Sequence, residues 1–240
     1  MTTEKDSKSW DFGRFVKTLA YFGVVPLLSN LDWFQQLLGS KTNPKLDTQK
    51  IMNGDRLTEN SLNLTLFDFR HSAQDLQNIW GAVDDVVMGG VSQSDIKISD
   101  GKAIFSGNVS SANSGGFASV RTRNFDPPMN LAGYDGIELN IKGDGLRYKF
   151  LVRSESRWDG IGYSFSFDTD ADKWMKIRIP FTNMIPVFRA KVVPDAHLNS
   201  SQIHAIQLML SKFEYDGGLN PHFKAGNFQL QIDSITAYRN

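Results

Sequence analysis

Apolar and polar residues alternate along most of the chain from Leu64 onward, and this pattern limits the possible folds more than any other feature. In the segment GIELNIK, Ile137, Leu139 and Ile141 would face one side and the residues between them the other. The segments LRYKFLVR, YSFSFD, WMKIRIPF and FQLQIDSI repeat the pattern. Such alternation is typical of antiparallel strands with one buried face. About ten strands without a long helix between them predict an all-β fold, a jelly-roll β-sandwich.

The beginning of the chain has a helical period instead, and residues 1–39 are predicted to form a short apolar extension. Two helices are expected, one over residues 12–22 and one over residues 31–38, separated by Pro26. Residues 18–31 carry no charge, but they are fewer than the ~20 apolar residues that span a bilayer. Residues 40–63 are polar and predict a linker, and residues 64–240 predict the sandwich domain.

We expect the extension to lie on a membrane surface or against an apolar helix of a partner, because an uncharged stretch flanked by charges suits an interface better than a membrane span. The alternative is that the two helices pack on the sandwich. The side chains expected to make the membrane or partner contacts are Phe15, Leu19, Phe22, Leu27, Leu28, Trp33 and Phe34.

The charge and cysteine content exclude several classes of function. The 26 basic residues balance 26 acidic residues, so the chain lacks the positive excess typical of nucleic-acid-binding proteins. The sequence has no cysteine, which excludes disulfides, thiolate chemistry and cysteine-ligated metal sites. Acidic residues before the apolar stretch argue against a secretion signal. We therefore expect an intracellular protein that is not secreted and does not bind nucleic acid.

Residues 80–94, WGAVDDVVMGGVSQS, form the most distinctive motif of the chain. The adjacent Asp84 and Asp85 would point to opposite faces of an extended strand, which makes them a poor acid–base pair. In a loop, one of them could instead ligate a cation or form an ion pair with an arginine. Gly89 and Gly90 favour a turn closed by Asx-type hydrogen bonds over a catalytic loop.

Other candidate reaction centres carry less weight. Asp168, Asp170 and Asp172 alternate as at the start of a calcium loop, but Lys173 and Ile179 stand where an EF-hand needs glycine and glutamate. The alternatives are a calcium site of another type and an acidic turn between two strands. The histidines show no metal-ligand spacing, and no GxSxG nucleophile motif occurs. We therefore expect no catalytic residue, no metal and no cofactor.

A surface rich in arginine and aromatic residues is the stronger candidate for a binding site. Because the buried faces of the strands are apolar, arginines on strands are expected to face outward, where they can bind a sugar, a carboxylate-rich peptide or a partner protein. The alternative is a solvated sheet face with a few ion pairs. The arginines concerned are Arg121, Arg123, Arg147, Arg153, Arg157 and Arg189, and Trp158 and Tyr163 lie near them in sequence.

Five segments in order resemble the CIA30 family, the complex I intermediate-associated protein 30 type. They are WGAVDDVVMGGVSQS, FSGNVSSANSGGFASVRTR, YDGIELNIKGDGLRYKFLVR, KWMKIRIPFTNMIPVFR and FQLQIDSI, within residues 65–238. The resemblance implies a galactose-binding-like jelly-roll sandwich and a role in the biogenesis of respiratory complex I, or of photosynthetic membrane complexes in phototrophs. It implies no enzymatic activity. The chain departs from the family pattern at Phe188-Arg189-Ala190, where glycine more often follows the arginine.

The residues and the resemblance together predict a non-enzymatic assembly factor. It would bind subunits or intermediates of a membrane electron-transport complex, either NADH dehydrogenase or a photosynthetic complex, on the cytoplasmic or stromal side of the membrane. The alternatives are a carbohydrate-binding module that uses Trp158 with Arg153 or Arg157, and a hydrolase that uses Asp84 or Asp85. The residues expected to bind the partner are Trp80, Asp84, Asp85, Met88, Gly89, Gly90, Ser92, Gly115, Gly116, Phe117, Arg121, Arg153, Trp158 and Arg189.

Overall fold

In the described parts of the chain, two antiparallel β-sheets packed face to face make up most of the structure, and a short helix precedes them. The computed structural model describes residues 11–22, 46–47, 63–70 and 76–240. The described helices are α1 (Phe12–Tyr21) and α2 (Leu76–Ile79), with 3₁₀ turns at Asp85–Met88, Ala112–Ser114 and Phe181–Asn183. The strands are β1 (Leu46–Asp47), β2 (Asn63–Asp68), β3 (Trp80–Ala82), β4 (Gln93–Ser99), β5 (Lys102–Val109), β6 (Phe117–Thr122), β7 (Phe125–Asp126), β8 (Gly136–Lys142), β9 (Arg147–Arg153), β10 (Gly162–Asp168), β11 (Trp174–Pro180), β12 (Ile185–Phe188), β13 (Lys191–Val192), β14 (Ala205–Ser211) and β15 (Gly226–Tyr238).

The strand order shows the non-consecutive pairing of a jelly roll. Within the described residues, one sheet has seven strands in the order β13-β12-β10-β9-β14-β6-β3. The other has six, in the order β11-β8-β15-β5-β4, with β2 beside the second half of β15. Strands β1 and β7 form a separate parallel pair. The all-β sandwich predicted from the sequence is confirmed.

The core lies between the two sheets and consists of the residues that the alternation predicted to face inward. Ile137, Leu139 and Ile141 of β8 are fully buried. On the opposite sheet, Tyr148 and Phe150 of β9 are buried to the same extent. Each large apolar side chain removed from water in this way contributes roughly 1.5–3 kcal/mol, so this apolar layer is the main stabilising feature of the fold.

The outer faces of the two sheets differ, which alternation alone does not predict. On the six-stranded sheet, Glu138 and Arg178 form an ion pair at 3.0 Å on a solvated surface. On the seven-stranded sheet, Ser119, Lys149 and Gln207 alternate with core residues and yet are buried. Loops and the N-terminal helix cover that face, as described below. The seven-stranded sheet therefore carries a second, polar layer of buried residues on its outer side.

Helix α1 confirms the first of the two predicted helices. Its N-terminus is capped by Asp11, whose carboxylate accepts a hydrogen bond from Arg14 N at 3.0 Å. Val16 is buried, and the helix packs against β3 and the Asp85–Met88 turn. The second predicted helix, residues 31–38, lies outside the described residues, as does most of the predicted linker; β1 falls within the range of that linker.

No helix in the described parts of the chain is both long enough and apolar enough to cross a membrane.

Candidate partner-binding surface on the seven-stranded sheet

The motif of residues 80–94 begins as the edge strand β3 and then turns sharply. Trp80 is a core residue, and its ring lies 5.6 Å from that of Phe67. The 3₁₀ turn Asp85–Met88 ends at Gly89, whose φ of 92° lies in the left-handed region that favours glycine. The chain then returns as β4, so both ends of the motif are fixed in strands.

Asp85 is buried and ties three segments of the chain together. Its carboxylate accepts hydrogen bonds from Ser92 N at 2.8 Å, Ser92 Oγ at 2.6 Å and Gly116 N at 2.8 Å. A Cβ atom at Gly90 or Gly115 would overlap with this carboxylate. The glycines on both sides are therefore required by the close approach of the carboxylate.

Asp84 is buried as well and faces different partners. It accepts hydrogen bonds from Ser94 Oγ at 2.5 Å and from Ser119 N at 3.0 Å, and Arg14 Nη2 of α1 lies 3.1 Å away. Burial raises the pKa of Asp84 to about 6, while the hydrogen bonds from Ser94 and Ser119 and the charge of Arg14 act in the opposite direction. The two neighbouring carboxylates thus bind separate segments and do not share a site.

Arg121 and Arg153 lie on the outer face of the seven-stranded sheet, on β6 and β9, with Gln207 of β14 between them in the sheet. Arg153 donates to Gln207 Oε1 at 3.3 Å, and Gln207 Nε2 donates to Ser119 Oγ at 2.9 Å. Burial, and then the charge of Arg153, lower the pKa of Arg121 to about 9, so its guanidinium remains charged at neutral pH. Although Arg121 points outward as predicted, it is only 2% exposed.

The cover over Arg121 consists of residues 154–161, which connect β9 to β10 and are called the lid loop below. Arg121 Nη1 donates to Trp158 O at 2.9 Å, and Arg153 Nη1 donates to Gly160 O at 2.7 Å. The guanidinium of Arg121 lies 5.2 Å from the centre of the Trp158 ring, and the Phe22 ring lies 4.7 Å from the Trp158 ring. The end of α1 and the lid loop therefore close over the sheet together.

Arg189 belongs to the same surface through the lid loop and does not contact residues 80–94. It forms an ion pair with Asp159 of the lid loop. Arg189 and Ala190 both have positive φ, 49° and 62°. This conformation favours glycine and gives a physical reason for the glycine that the family pattern more often has after the arginine.

The structure brings most of the predicted partner-binding residues together, but many of them have almost no solvent-exposed surface. Those that are buried contact other parts of the protein in this structure: Trp80, Asp84, Asp85, Gly90, Ser92, Gly115, Gly116 and Arg121. Gly89, Phe117, Arg153 and Trp158 are half-buried, and Met88 and Arg189 are exposed. In the extension, Phe15, Leu19 and Phe22 are half-buried, whereas Leu27, Leu28, Trp33 and Phe34 lie outside the described residues.

A second polar cluster on the same face was not predicted from the sequence. Lys149 Nζ donates to the carbonyl oxygens of Phe213 and Glu214 at 2.7 and 2.9 Å and lies 4.5 Å from the Tyr215 ring centre. Burial lowers the pKa of Lys149 to about 8. The only sequence signal was a lysine at a polar strand position, which looks the same whether the face is solvated or covered.

Asp168, Asp170 and Asp172, which alternate as at the start of a calcium loop, each pair with a different basic residue in the structure. Asp168 pairs with Arg147 at 2.7 Å, and Asp172 pairs with Lys142 at 3.1 Å. Among the residues that the structure describes, no cluster of three or more histidine, aspartate and glutamate side chains could hold a metal ion.

The fold is similar to that of carbohydrate-binding modules in solved structures. The family 11 module of the cellulosomal cellulase Lic26A-Cel5E of Clostridium thermocellum has a TM-score of 0.55 at 16% identity, over 74% of this chain and 95% of that chain. A family 11 module from Clostridium thermocellum in complex with a beta-1,3-1,4-mixed-linked tetrasaccharide has a TM-score of 0.53 at 19% identity, over 74% and 95% of the two chains. At these identities the similarity shows the fold alone.

No curated protein sequence matches the chain significantly. The family described as Complex I intermediate-associated protein 30 (CIA30) matches residues 67–232, which is more than half of the chain. This range contains the motif of residues 80–94, the strands β6 and β9 that carry Arg121 and Arg153, and the lid loop. The resemblance seen in the sequence is thereby confirmed, and the chain belongs to the CIA30 family.

Proposed function

We propose that the protein is a non-enzymatic assembly factor that binds subunits or intermediates of a membrane electron-transport complex. The observation that carries the proposal is the family match over residues 67–232, because the family is named for its association with an intermediate of complex I. The sandwich would act as a rigid docking platform beside an energy-converting membrane, on its cytoplasmic or stromal side.

The burial of the two carboxylates favours a structural role over hydrolysis. Asp84 and Asp85 both accept several hydrogen bonds from backbone and serine groups within the protein. A general base or nucleophile must reach the substrate, and these side chains have almost no exposed surface. Their positions fit the alternative of a structural turn, which ties the end of β3 to β4 and to β6.

One end of the seven-stranded sheet offers an apolar surface for a subunit. Met88, Phe213 and Leu219 are exposed there, Met88 and Leu219 to 73% and 64%. The turn that carries Met88 and the loop that carries Phe213 both hydrogen-bond to Gly116 at the start of β6, and Phe213 bridges to Leu219. We call these three side chains the apolar end. Exposed apolar groups beside polar residues are typical of protein interaction sites.

Affinity purification from the native membrane tests the proposal. A tagged full-length chain should enrich subunits of one electron-transport complex over a tag-only control. The double variant Met88→Gln, Leu219→Gln should lose most of this enrichment. Trp174→Gln is the matched control, because Trp174 is an exposed apolar side chain on β11 of the opposite sheet. Failure to enrich any such subunit would contradict the proposed function.

The N-terminal extension is proposed to contact the membrane or an apolar subunit helix through residues after Phe22, including Leu27 and Leu28. Substituting both leucines by glutamine in the full chain should move the protein from the floating to the soluble fraction of a membrane flotation gradient. Phe12→Gln, at an exposed position of α1, is the control and should not change the distribution. Equal partitioning of wild type and the double variant would reject this contact.

Carbohydrate binding is the second candidate, and the sandwich fold favours it because the similar solved structures are sugar-binding modules. Sugar platforms in proteins are exposed aromatic rings. The Trp158 ring lies against Phe22 and Arg121, so it is not fully open to a sugar in this structure. A glycan array with wild type and Trp158→Ala separates the candidates, since binding that disappears in the variant would favour the sugar-binding function.

A further inference from the structure

Two guanidinium groups on the seven-stranded sheet, that of the buried Arg121 and that of the half-buried Arg153, have only neutral hydrogen-bond acceptors. Arg121 donates to Trp158 O at 2.9 Å and Asn124 Oδ1 at 3.3 Å. Arg153 donates to Gly160 O and Gln207 Oε1. Within the described residues neither forms an ion pair, and the Nε atoms of both have no acceptor. Buried charges are normally paired, because removing an unpaired charge from water is strongly unfavourable.

The carboxylates of the lid loop are already engaged elsewhere. Asp159 and Glu155, both in the lid loop, attract Arg153 by their charge. Asp159, however, is bound to Arg189, and Glu155 is bound to Arg157 at 2.9 Å. Both of these ion pairs lie at the exposed surface of the loop. The interior pair of arginines therefore keeps an excess of positive charge between the sheet and the lid loop.

We propose that Arg121 and Arg153 bind a carboxylate of a partner polypeptide, either a glutamate or aspartate side chain or a C-terminus. The inference deepens the proposed function and rests on it, since it specifies the chemistry of the subunit segment that docks. A guanidinium presents a planar fork of N–H donors that matches a carboxylate, and a carboxylate would also neutralise the charge, which the carbonyl and amide acceptors in this structure do not.

The cover of the site indicates a polypeptide and not a free anion. The Phe22 and Trp158 rings lie directly above Arg121, at 5.7 and 5.2 Å from its guanidinium carbon. These rings can pack against apolar side chains that flank an acidic residue in a peptide, whereas a small anion gains nothing from them. The lid loop is the entry point, because the two arginines hold it through carbonyl oxygens, and its hydrogen bond from Asn124 to Ser156 O and its ion pair between Asp159 and Arg189 both lie at the exposed surface.

A labelled, capped peptide that alternates glutamate and leucine serves as the probe for the full-length chain. Its binding is followed by fluorescence anisotropy and by the NMR signals of the arginine Nε–H groups. The peptide should shift the signals of Arg121 and Arg153, and the same peptide with glutamine in place of glutamate should bind at least about tenfold more weakly. Free glutarate should also bind more weakly than the peptide. Equal binding of the glutamine peptide, or tighter binding of glutarate, would overturn the proposal.

Variants assign the binding to the two arginines. Arg121→Gln and Arg153→Gln should each weaken peptide binding about tenfold or more, whereas Arg178→Gln, at an exposed arginine of β11 on the opposite sheet, should change it less than about twofold. Should Arg121→Gln fail to fold, Arg153→Lys tests the same point, because it keeps the charge but loses the planar fork and should still weaken binding several-fold. Unchanged affinity in a folded variant would overturn the proposal.

Co-purification separates this inference from the proposed function. If electron-transport subunits co-purify equally with wild type and with Arg121→Gln, Arg153→Gln, the carboxylate site is wrong and the assembly function stands. If no subunit co-purifies with wild type while the acidic peptide binds through both arginines, the assembly function is wrong and the carboxylate site stands.

Discussion

The guanidinium of Arg14 lies 3.1 Å from the buried carboxylate of Asp84, and the same nitrogen donates to Ser92 O at 3.0 Å. This contact joins the N-terminal helix to the motif of residues 80–94 across 70 positions of the sequence. Farther along the same helix, Tyr21 OH donates to Gln77 O at 2.8 Å. Helix α1 is therefore an integral part of the sandwich at both of its ends.

Replacing Arg14 by glutamine should loosen α1 without unfolding the sandwich. The change leaves the Asp84 carboxylate without its cationic partner, and because Arg14 is partly exposed we expect a cost of about 2 kcal/mol. Hydrogen exchange over residues 12–21 should accelerate more than exchange in β8 or β15. Lys17→Gln, an exposed position of the same helix, is the control. Equal exchange rates in the two variants would contradict the role of the ion pair.

Asp84 should make the stability depend on pH with an unusual sign. Because burial raises its pKa from 3.8 to about 6, the folded protein binds more protons than the unfolded chain between these values. The stability that Asp84 contributes therefore increases as the pH falls through 6 and is lost as the pH rises. We expect wild type to gain up to about 3 kcal/mol relative to Asp84→Asn between about pH 7 and pH 4, measured by urea unfolding.

Glu138 provides a control of opposite sign for that experiment. Burial acts to raise the pKa of Glu138, but the hydrogen bonds and charges of Arg178 and Lys176 outweigh it and lower the pKa overall. Its contribution to stability is present at neutral pH and is lost as the pH falls. Relative to Glu138→Gln, wild type should therefore lose stability on acidification, and parallel pH profiles for the two variants would contradict both assignments.

Gly90 and Gly89 should respond differently to the same substitution. A methyl group at Gly90 would overlap with the Asp85 carboxylate, which is held by several hydrogen bonds and cannot easily move. At Gly89 the space is open, and only the positive φ opposes alanine. We expect Gly90→Ala to cost about 2 kcal/mol or more and Gly89→Ala roughly 1 kcal/mol. Urea midpoints at an unchanged m-value provide the comparison.

The core and the strand pattern could be predicted from the sequence because they depend on local alternation. Ile137, Leu139 and Ile141 illustrate this, since their spacing alone places them on one face of a strand. The turn at Gly89 and Gly90 could also be predicted, because its geometry is encoded by neighbouring residues. Both features need only information from within a few residues of the chain.

The cover over the seven-stranded sheet could not be predicted in this way. A polar residue such as Arg121 or Lys149 alternates with core residues in the same way whether a loop covers the outer face of the sheet or solvent does. The burial of Arg121 depends on where the lid loop and the end of α1 pack, and that of Lys149 depends on where residues 213–215 pack. These contacts join segments far apart in sequence. The same holds for Asp84 and Asp85. The sequence predicted a turn there, but it did not predict that Asp84 would form an ion pair with Arg14 of the helix.

Phe22 should hold the lid loop closed, and its removal should free that loop selectively. The Phe22 ring lies 4.7 Å from the Trp158 ring, so Phe22→Ala deletes one side of the packing around Trp158. We expect a loss of about 1–2 kcal/mol and a several-fold increase in hydrogen exchange over residues 154–161. Phe12→Ala, at an exposed phenylalanine of the same helix, should leave exchange in the lid loop unchanged. If both variants gave the same exchange pattern, Phe22 would not be the residue that couples the N-terminal helix to the covered arginines.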